Sequence, residues 1–352
     1  MSPGGDGRTP VSPRPGGHFL GEGEEKMSNL RDAVGLCLPY GKADSQYETE
    51  FEPATGTVWG YFNPRHGVPC YSLGLLKDIL EHDQRLVANG CRVEIDGALS
   101  EVNYYVTASR TPGIFNVGGD LALFSMLIKA GDRAALAHYA KLCIDNIYPR
   151  TRAFFSPTLT KIVLVQGDAL GGGFECALAS DVIVAEESAQ MGLPEILFNL
   201  FPGMGACSLL ARRIGMRAAE ELILSGKIYT AAELHKMGIV DVVATDGQGE
   251  TAVRNWIASN AKRRNGVQAV HRARQFIHPV TREELDGIVG LWVDAALRLS
   301  ERDLKMMGRL VRAQMRRLES RQAAGGGGNV VELPLAEPLA AVGIQLPIAA
   351  LV

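Results

Sequence analysis

The most informative segment of the chain reads Val165-Gln166-Gly167-Asp168-Ala169-Leu170-Gly171-Gly172-Gly173-Phe174-Glu175. Its apolar, β-branched start predicts a strand over 161–166, and a helix is predicted from Phe174, beyond the three glycines. Glycine permits the positive φ or the close backbone approach that a tight strand-to-helix turn requires. The first N–H groups of the following helix are unpaired and carry a partial positive charge, so the turn can hold a developing oxyanion.

A second turn of this kind lies upstream. A strand is predicted over 102–108, Gly118 and Gly119 follow it, and a helix is predicted from Asp120. If the fold brings the two turns together, the N–H groups of Gly119 and Gly172 can hold one thioester oxygen as it becomes an enolate. The alternative, which is the commoner one for a single glycine pair, is that each turn is only a tight connection.

Strands and helices alternate on both sides of these turns. Further strands are predicted over 57–62, 181–185 and 239–243. A helix is predicted over 71–86, with one apolar face formed by Leu73, Leu76, Ile79 and Leu80, and several more helices fill 281–318. This alternation predicts an α/β fold.

Two glutamates follow the triple-glycine turn. Glu175 lies one helical turn beyond the triple glycine, and Glu195 lies in the otherwise apolar segment 191–197. Burial in apolar surroundings raises the pKa of a carboxyl toward neutrality. One carboxyl of such a pair can then remove a proton while the other delivers one to a leaving hydroxyl. For either glutamate alone, a helix-start charge or a buried ion pair is the alternative.

Composition excludes several classes of protein. The chain has 352 residues, 46% of them hydrophobic, which is enough for a sizeable core and about two domains. Its formal net charge of -3 provides no positive field for nucleic acid. No apolar run reaches the roughly 18 residues of a membrane span, and the N-terminus lacks the apolar part of a signal peptide.

The cysteines and histidines indicate neither a metal site nor a disulfide framework. Six cysteines are scattered without a CxxC pair, so we expect no metal and a reducing, cytoplasmic location. Neither a GxSxG turn nor an HExxH helix is present, so no motif in the sequence supports a serine hydrolase or a zinc protease.

Four regions are predicted from composition and periodicity. Residues 1–26 are rich in glycine and proline and are expected to be disordered. Residues 27–250 form the core, and 251–322 form a helical C-terminal region. Four consecutive glycines at 325–328 and three later prolines predict a flexible tail over 323–352.

The motifs together resemble the enoyl-CoA hydratase/isomerase, or crotonase, superfamily. The matching segments are Phe115–Leu121, Val165–Glu175, Gly192–Glu195, Phe201–Gly205 and Tyr229–Asp241, in order and spacing, and the resemblance covers about 57–317. It implies a crotonase-like spiral core of ββα units with a helical C-terminal region, commonly a homotrimer or another homo-oligomer.

Within the superfamily the chain most resembles the diffusible signal factor synthases of bacterial quorum sensing. This resemblance rests on the segments Gly118–Phe124, Leu197–Phe201, Leu291–Ala295 and Arg309–Gln314. The resemblance implies Glu175 and Glu195 as catalytic residues, and an acyl tunnel lined by Leu170, Met204 and Trp292. It implies dehydration of a 3-hydroxyacyl thioester to the cis-2-enoyl thioester, followed by hydrolysis to the free acid. No cofactor is expected, since the substrate itself is carried as an acyl carrier protein or coenzyme A thioester.

Other hypotheses stay open. One is an ordinary enoyl-CoA hydratase or isomerase of fatty-acid metabolism, because fold and oxyanion site alone do not fix the chemistry. Another is a regulatory binding module of crotonase fold that engages a sensor kinase. A basic helical face formed by Lys305, Arg309, Arg312 and Arg316 is either a solvated surface or a dock for acyl carrier protein or for coenzyme A phosphates.

Overall fold

The computed structural model describes residues 37–42, 44–64 and 69–324. The predicted disordered segment 1–26 lies outside the described residues, and so does the predicted tail from residue 325 onward. Residues 323 and 324, which the prediction gave to the tail, are still helical.

The described residues form two main sheets and a hairpin. The strands are β1 (Leu38–Tyr40), β2 (Tyr47–Glu52), β3 (Thr57–Phe62), β4 (Arg92–Ile95), β5 (Ala98–Glu101), β6 (Tyr104–Ser109), β7 (Gly113–Asn116), β8 (Thr160–Val165), β9 (Gly167–Leu170), β10 (Val182–Glu186), β11 (Gln190–Gly192), β12 (Ile228–Thr230) and β13 (Val242–Ala244). Within these residues the larger sheet has the order β1-β2-β3-β6-β8-β10-β13, and the smaller has the order β12-β11-β9-β7. Strands β4 and β5 pair with each other.

The described residues also form the helices of the fold, and a helix follows each of β7, β9 and β12 of the smaller sheet. They are α1 (Leu73–Ala88), α2 (Leu121–Ala130), α3 (Arg133–Thr151), α4 (Gly172–Leu178), α5 (Ala206–Ile214), α6 (Met216–Ser225), α7 (Ala231–Lys236), α8 (Gly249–Asn260), α9 (Arg264–Ile277), α10 (Arg282–Ala296) and α11 (Glu301–Ala324). Short 3-10 segments occupy Ala153–Phe155, Pro194–Phe198 and Ala261–Arg263.

The chain advances as a spiral of strand pairs. From β6 to β11, each turn of the chain adds one parallel strand to the larger sheet and then one to the smaller sheet. A helix or a 3-10 segment follows each strand of the smaller sheet in this run. The expected ββα spiral with a helical C-terminal region is therefore confirmed.

The two short strands β7 and β9 differ from the sequence prediction, which placed each glycine turn directly after a strand of the larger sheet. At their pairing the backbones come so close that a Cβ at Gly167 would overlap the backbone of Gly113. Each glycine turn therefore starts from the smaller sheet. The apolar face of α1 also differs, because Leu73 is 38% exposed and Leu75 is buried in its place.

Strand β8 shows how the core is divided. Its side chains alternate, with Val163 and Val165 in one buried apolar cluster and Ile162 and Leu164 in another. Helix α8 covers the second cluster, and the first, larger cluster lies on the other face, with the helices around the glycine turns. Because β8 is buried on both faces, the chain that leaves it toward β9 and the triple-glycine turn starts within the core.

Candidate active site

A cavity of about 740 Å³, including its open mouth, lies where the two glycine turns meet. Its polar end is lined by Gly119, Gly172, Glu175 and Glu195. Its apolar walls come from α2, α3, the 3-10 segment Pro194–Phe198, and the C-terminal helices α10 and α11. The structure therefore brings both predicted turns and both predicted acids to one site.

The two turns touch through their backbones. Gly118 has φ +92°, and a Cβ there would lie 2.8 Å from the Leu170 carbonyl oxygen and 2.9 Å from the Gly172 nitrogen. Only glycine allows this approach. Gly172 is the first residue of α4, so its N–H has no partner within the helix. With Gly119 on the same cavity, both predicted oxyanion donors lie at the polar end.

Glu175 lies in the first turn of α4 and is 2% exposed. Its Oε1 accepts hydrogen bonds from the backbone N–H groups of Met204, at 2.8 Å, and Ala206, at 2.9 Å. Ala206 begins α5, so the carboxyl sits against a helix N-terminus. Burial raises the pKa of Glu175 to about 7, although these hydrogen bonds act to lower it.

Glu195 has a different environment. It lies in the 3-10 segment Pro194–Phe198, and its buried Oε2 has no hydrogen-bond partner among the described residues. A Cβ at Gly171, where φ is +52°, would lie 2.5 Å from Oε1 of Glu195, so the glycine makes room for the carboxyl. Burial, and next the charge of Glu175, raise the pKa of Glu195 to about 8. The pair can therefore exchange protons near neutral pH.

The apolar lining includes two of the three residues predicted for an acyl tunnel. Met204 and Trp292 line the cavity, and Trp292 packs edge-on against Phe124 with ring centroids 5.1 Å apart. The third, Leu170, is not among the residues that line this cavity. As the last residue of β9 it pairs with Gly192, and its carbonyl faces Gly118.

Several lining residues escaped the sequence analysis. They are Tyr71, Phe124, Tyr139, Cys143, Phe198, Leu200, Val289 and Leu310. Phe124 belongs to the Gly118–Phe124 segment, which the sequence analysis had singled out. Tyr71 lies just before α1, bridged to Gly119, and Tyr139 lies on α3, so their place in the cavity follows from tertiary packing that periodicity does not report.

Neither a metal centre nor a membrane span is found among residues 37–42, 44–64 and 69–324. This part of the chain holds no group of three or more His, Cys, Asp or Glu residues placed to bind a metal ion. It also holds no helix with the length and apolar character needed to cross a membrane.

The curated relatives share part of this chain. The 2,3-dehydroadipyl-CoA hydratase of Escherichia coli is 38% identical over 133 residues, which is 38% of this chain and 50% of that protein. The peroxisomal fatty acid beta-oxidation multifunctional protein AIM1 of Arabidopsis thaliana is 32% identical over 161 residues, 46% of this chain and 22% of that protein. The chain thus spans half or less of the length of these two relatives.

Solved structures share the fold. Enoyl-CoA hydratase from Bacillus halodurans has a TM-score of 0.62 at 20% identity, covering 75% of this chain and all 100% of that one. DspI of Pseudomonas aeruginosa has a TM-score of 0.55 at 24% identity, covering 71% of this chain and 98% of that one. The family model for enoyl-CoA hydratase/isomerase matches residues 101–287, just over half of the 352 residues. On the family match and the shared fold, the chain belongs to the enoyl-CoA hydratase/isomerase family of the crotonase superfamily.

Proposed function

We propose that this chain converts a 3-hydroxyacyl thioester into a free cis-2-enoic fatty acid, a diffusible signal of the quorum-sensing type. The observation that carries the proposal is that two carboxyls and two glycine turns line one cavity whose other walls are mainly apolar. The apolar walls suit a fatty acyl chain, and the polar end suits its thioester and hydroxyl.

The first step is dehydration. One carboxylate of the pair Glu175 and Glu195 removes a proton from C2, and the electrons move onto the thioester oxygen. The Gly119 and Gly172 N–H groups stabilise this enolate. The C3–O bond then breaks, the other carboxyl delivers a proton to the leaving hydroxyl, and water departs. Each proton is held by a group whose pKa burial has raised toward neutrality.

The second step is hydrolysis of the enoyl thioester. A carboxylate takes a proton from water as the water oxygen attacks the thioester carbon, and the same N–H groups hold the resulting oxyanion. The oxyanion then collapses to the carboxyl group of the product, the C–S bond breaks, and the sulfur leaves as the thiol by taking the proton that the carboxyl removed from water. The products are the cis-2-enoic acid and the free carrier thiol.

The acyl carrier is proposed to be acyl carrier protein. Lys305, Arg309, Arg312 and Arg316 are exposed on α11, the same helix whose Leu310 lines the cavity. An acidic carrier docked on this face would lie beside the cavity, and its attraction would be electrostatic.

Hydration of a trans-2-enoyl-CoA is the second candidate. The names of the curated relatives, two of them hydratases of CoA thioesters, favour it. It needs the same two carboxyls and the same oxyanion site, but water adds to C3 and the thioester remains intact.

The two candidates are separated by their products. Mass spectrometry of fatty acids excreted by cells that express the chain should detect a cis-2-enoic acid that is absent from cells expressing the Glu175→Gln variant. Accumulation of 3-hydroxyacyl thioesters without any free enoic acid would favour the hydratase and contradict the synthase.

A further inference from the structure

The Gly118-Gly119 turn is held on both sides of the Gly119 amide. The Gly118 N–H donates to Oδ1 of Asn116 at 2.8 Å, and the Gly118 carbonyl accepts from the Tyr71 N–H at 2.7 Å. Beyond Gly119, the Asp120 N–H donates to the Tyr139 hydroxyl at 3.3 Å. That hydroxyl donates to the Tyr71 carbonyl at 2.5 Å. The turn is thus tied to the Tyr71 backbone from both ends.

Both side chains that hold the turn are fixed by burial. Asn116 is 0% exposed and Tyr139 is 2% exposed. The Tyr139 ring packs edge-on against Phe124, with centroids 4.9 Å apart. Phe124 in turn lies against Gly119, where a Cβ would be 2.6 Å from its Cζ. Neither side chain carries the reacting groups, and each acts on the turn through a single polar atom.

We propose that the Tyr139 hydroxyl and the Asn116 amide oxygen are positioning groups that aim the Gly119 N–H at the thioester oxygen. This rests on the proposed function only in taking a thioester as the ligand of the site. An oxyanion donor stabilises the transition state in proportion to how well it is preorganised, and small misplacements are costly. Loosening the turn should therefore reduce kcat more than it weakens ground-state binding.

Tyr139→Phe tests the proposal because it deletes one oxygen and keeps the ring. Tyr148→Phe is the matched control, since Tyr148 lies on the same helix, is half-buried and is not among the cavity-lining residues. With a 3-hydroxyacyl-CoA substrate, kcat of Tyr139→Phe should fall about tenfold or more with KM nearly unchanged. The control should match the wild type.

A spectroscopic measurement reports directly how well the Gly119 N–H is directed at the thioester oxygen. Sorbyl-CoA, a conjugated dienoyl thioester, should absorb at longer wavelength when the oxyanion site polarises its carbonyl. The shift should be full in wild type and in Tyr148→Phe, and smaller in Tyr139→Phe. A loss of stability alone would lower the Tm without changing the spectrum of the bound probe.

Asn116 provides an independent series if Tyr139→Phe folds poorly. Asn116→Ala removes the acceptor for the Gly118 N–H, and Asn116→Ser restores part of the kcat and of the shift, because a serine hydroxyl can accept from the N–H two residues on. Wild-type kcat and shift in Tyr139→Phe and Asn116→Ala would overturn the positioning roles while leaving the site intact. Absence of the shift in the wild type would overturn the thioester site itself, and the positioning roles with it.

Discussion

At the scale of single residues, Glu175 and Glu195 share one cavity but not one environment. Two backbone N–H groups compensate the buried charge of Glu175. Oε2 of Glu195 has no such compensation from any described residue. An uncompensated buried carboxylate is costly, so Glu195 should reduce the stability of the fold whenever it is ionised.

This difference predicts how stability depends on pH. The folded protein holds a proton on Glu195 up to about pH 8, whereas the unfolded chain loses it near the ordinary value of 4.5. Between these values the folded state binds more protons, so the free energy of unfolding falls as pH rises. Glu195→Gln removes this pH-dependent loss of stability. The Tm of the variant should therefore exceed that of the wild type by at least about 2 °C above pH 8, with little difference near pH 5.

Thermal melting across that pH range checks the expectation. The exposed Glu187 provides a control, because Glu187→Gln removes a carboxyl that is already in water. A Tm difference for Glu195→Gln that is the same at every pH would show that Glu195 titrates normally in the fold.

Both glutamates and both glycine turns could be picked out in the sequence because short-range motifs specify them, and the structure brings them to one cavity. Gly171, Gly172 and Glu175 lie within one turn of helix, so their relation is local. Leu170 lies outside the cavity lining, at the end of β9, a strand that was not predicted. Four residues are too few to display a strand period.

At the scale of secondary-structure elements, helix α11 both lines the cavity and carries the basic face. Leu310 lines the cavity, while Arg309 and Arg312 are exposed on the same helix. The periodicity of the sequence predicted a basic face here, but not that Leu310 of the same helix lines the cavity. Most other lining residues lie far earlier in the chain, so no local pattern reports this contact.

The basic face predicts a carrier effect. Arg309→Glu with Arg312→Glu should raise KM for acyl carrier protein substrates about 3- to 10-fold, with kcat and Tm unchanged. Added salt should weaken binding of the wild type in the same way, because exposed pairs are screened.

Steady-state kinetics with carrier-bound and coenzyme A-bound substrates provide the measurement. A control of equal charge change is Arg92→Glu with Lys262→Glu, two exposed residues outside the cavity lining. If KM stays flat for the α11 variant and across salt, this face of α11 is only a solvated surface.

At the scale of the whole molecule, the C-terminal helices complete the site within one chain. Val289 and Trp292 of α10, with Leu310 of α11, line the cavity opened by the spiral core. The alternation of strands and helices was predictable, because strand and turn signals recur along the chain, whereas the short second strands β7 and β9 were not. How α10 and α11 come to pack beside the Gly118-Gly119 turn depends on tertiary packing. The homotrimer, the cytoplasmic location and a sensor kinase partner stay predictions.

The central claim is that Glu175 and Glu195 together carry dehydration and hydrolysis. The direct measurement compares wild type, Glu175→Gln, Glu195→Gln and the Glu187→Gln control on 3-hydroxyacyl and cis-2-enoyl thioesters, quantifying free acid and thiol. Each catalytic variant should lose about 10²- to 10⁴-fold in at least one step while still binding thioester, since glutamine keeps the shape and lacks the proton. Near-wild-type turnover of both substrates by both variants would contradict the two-carboxylate mechanism.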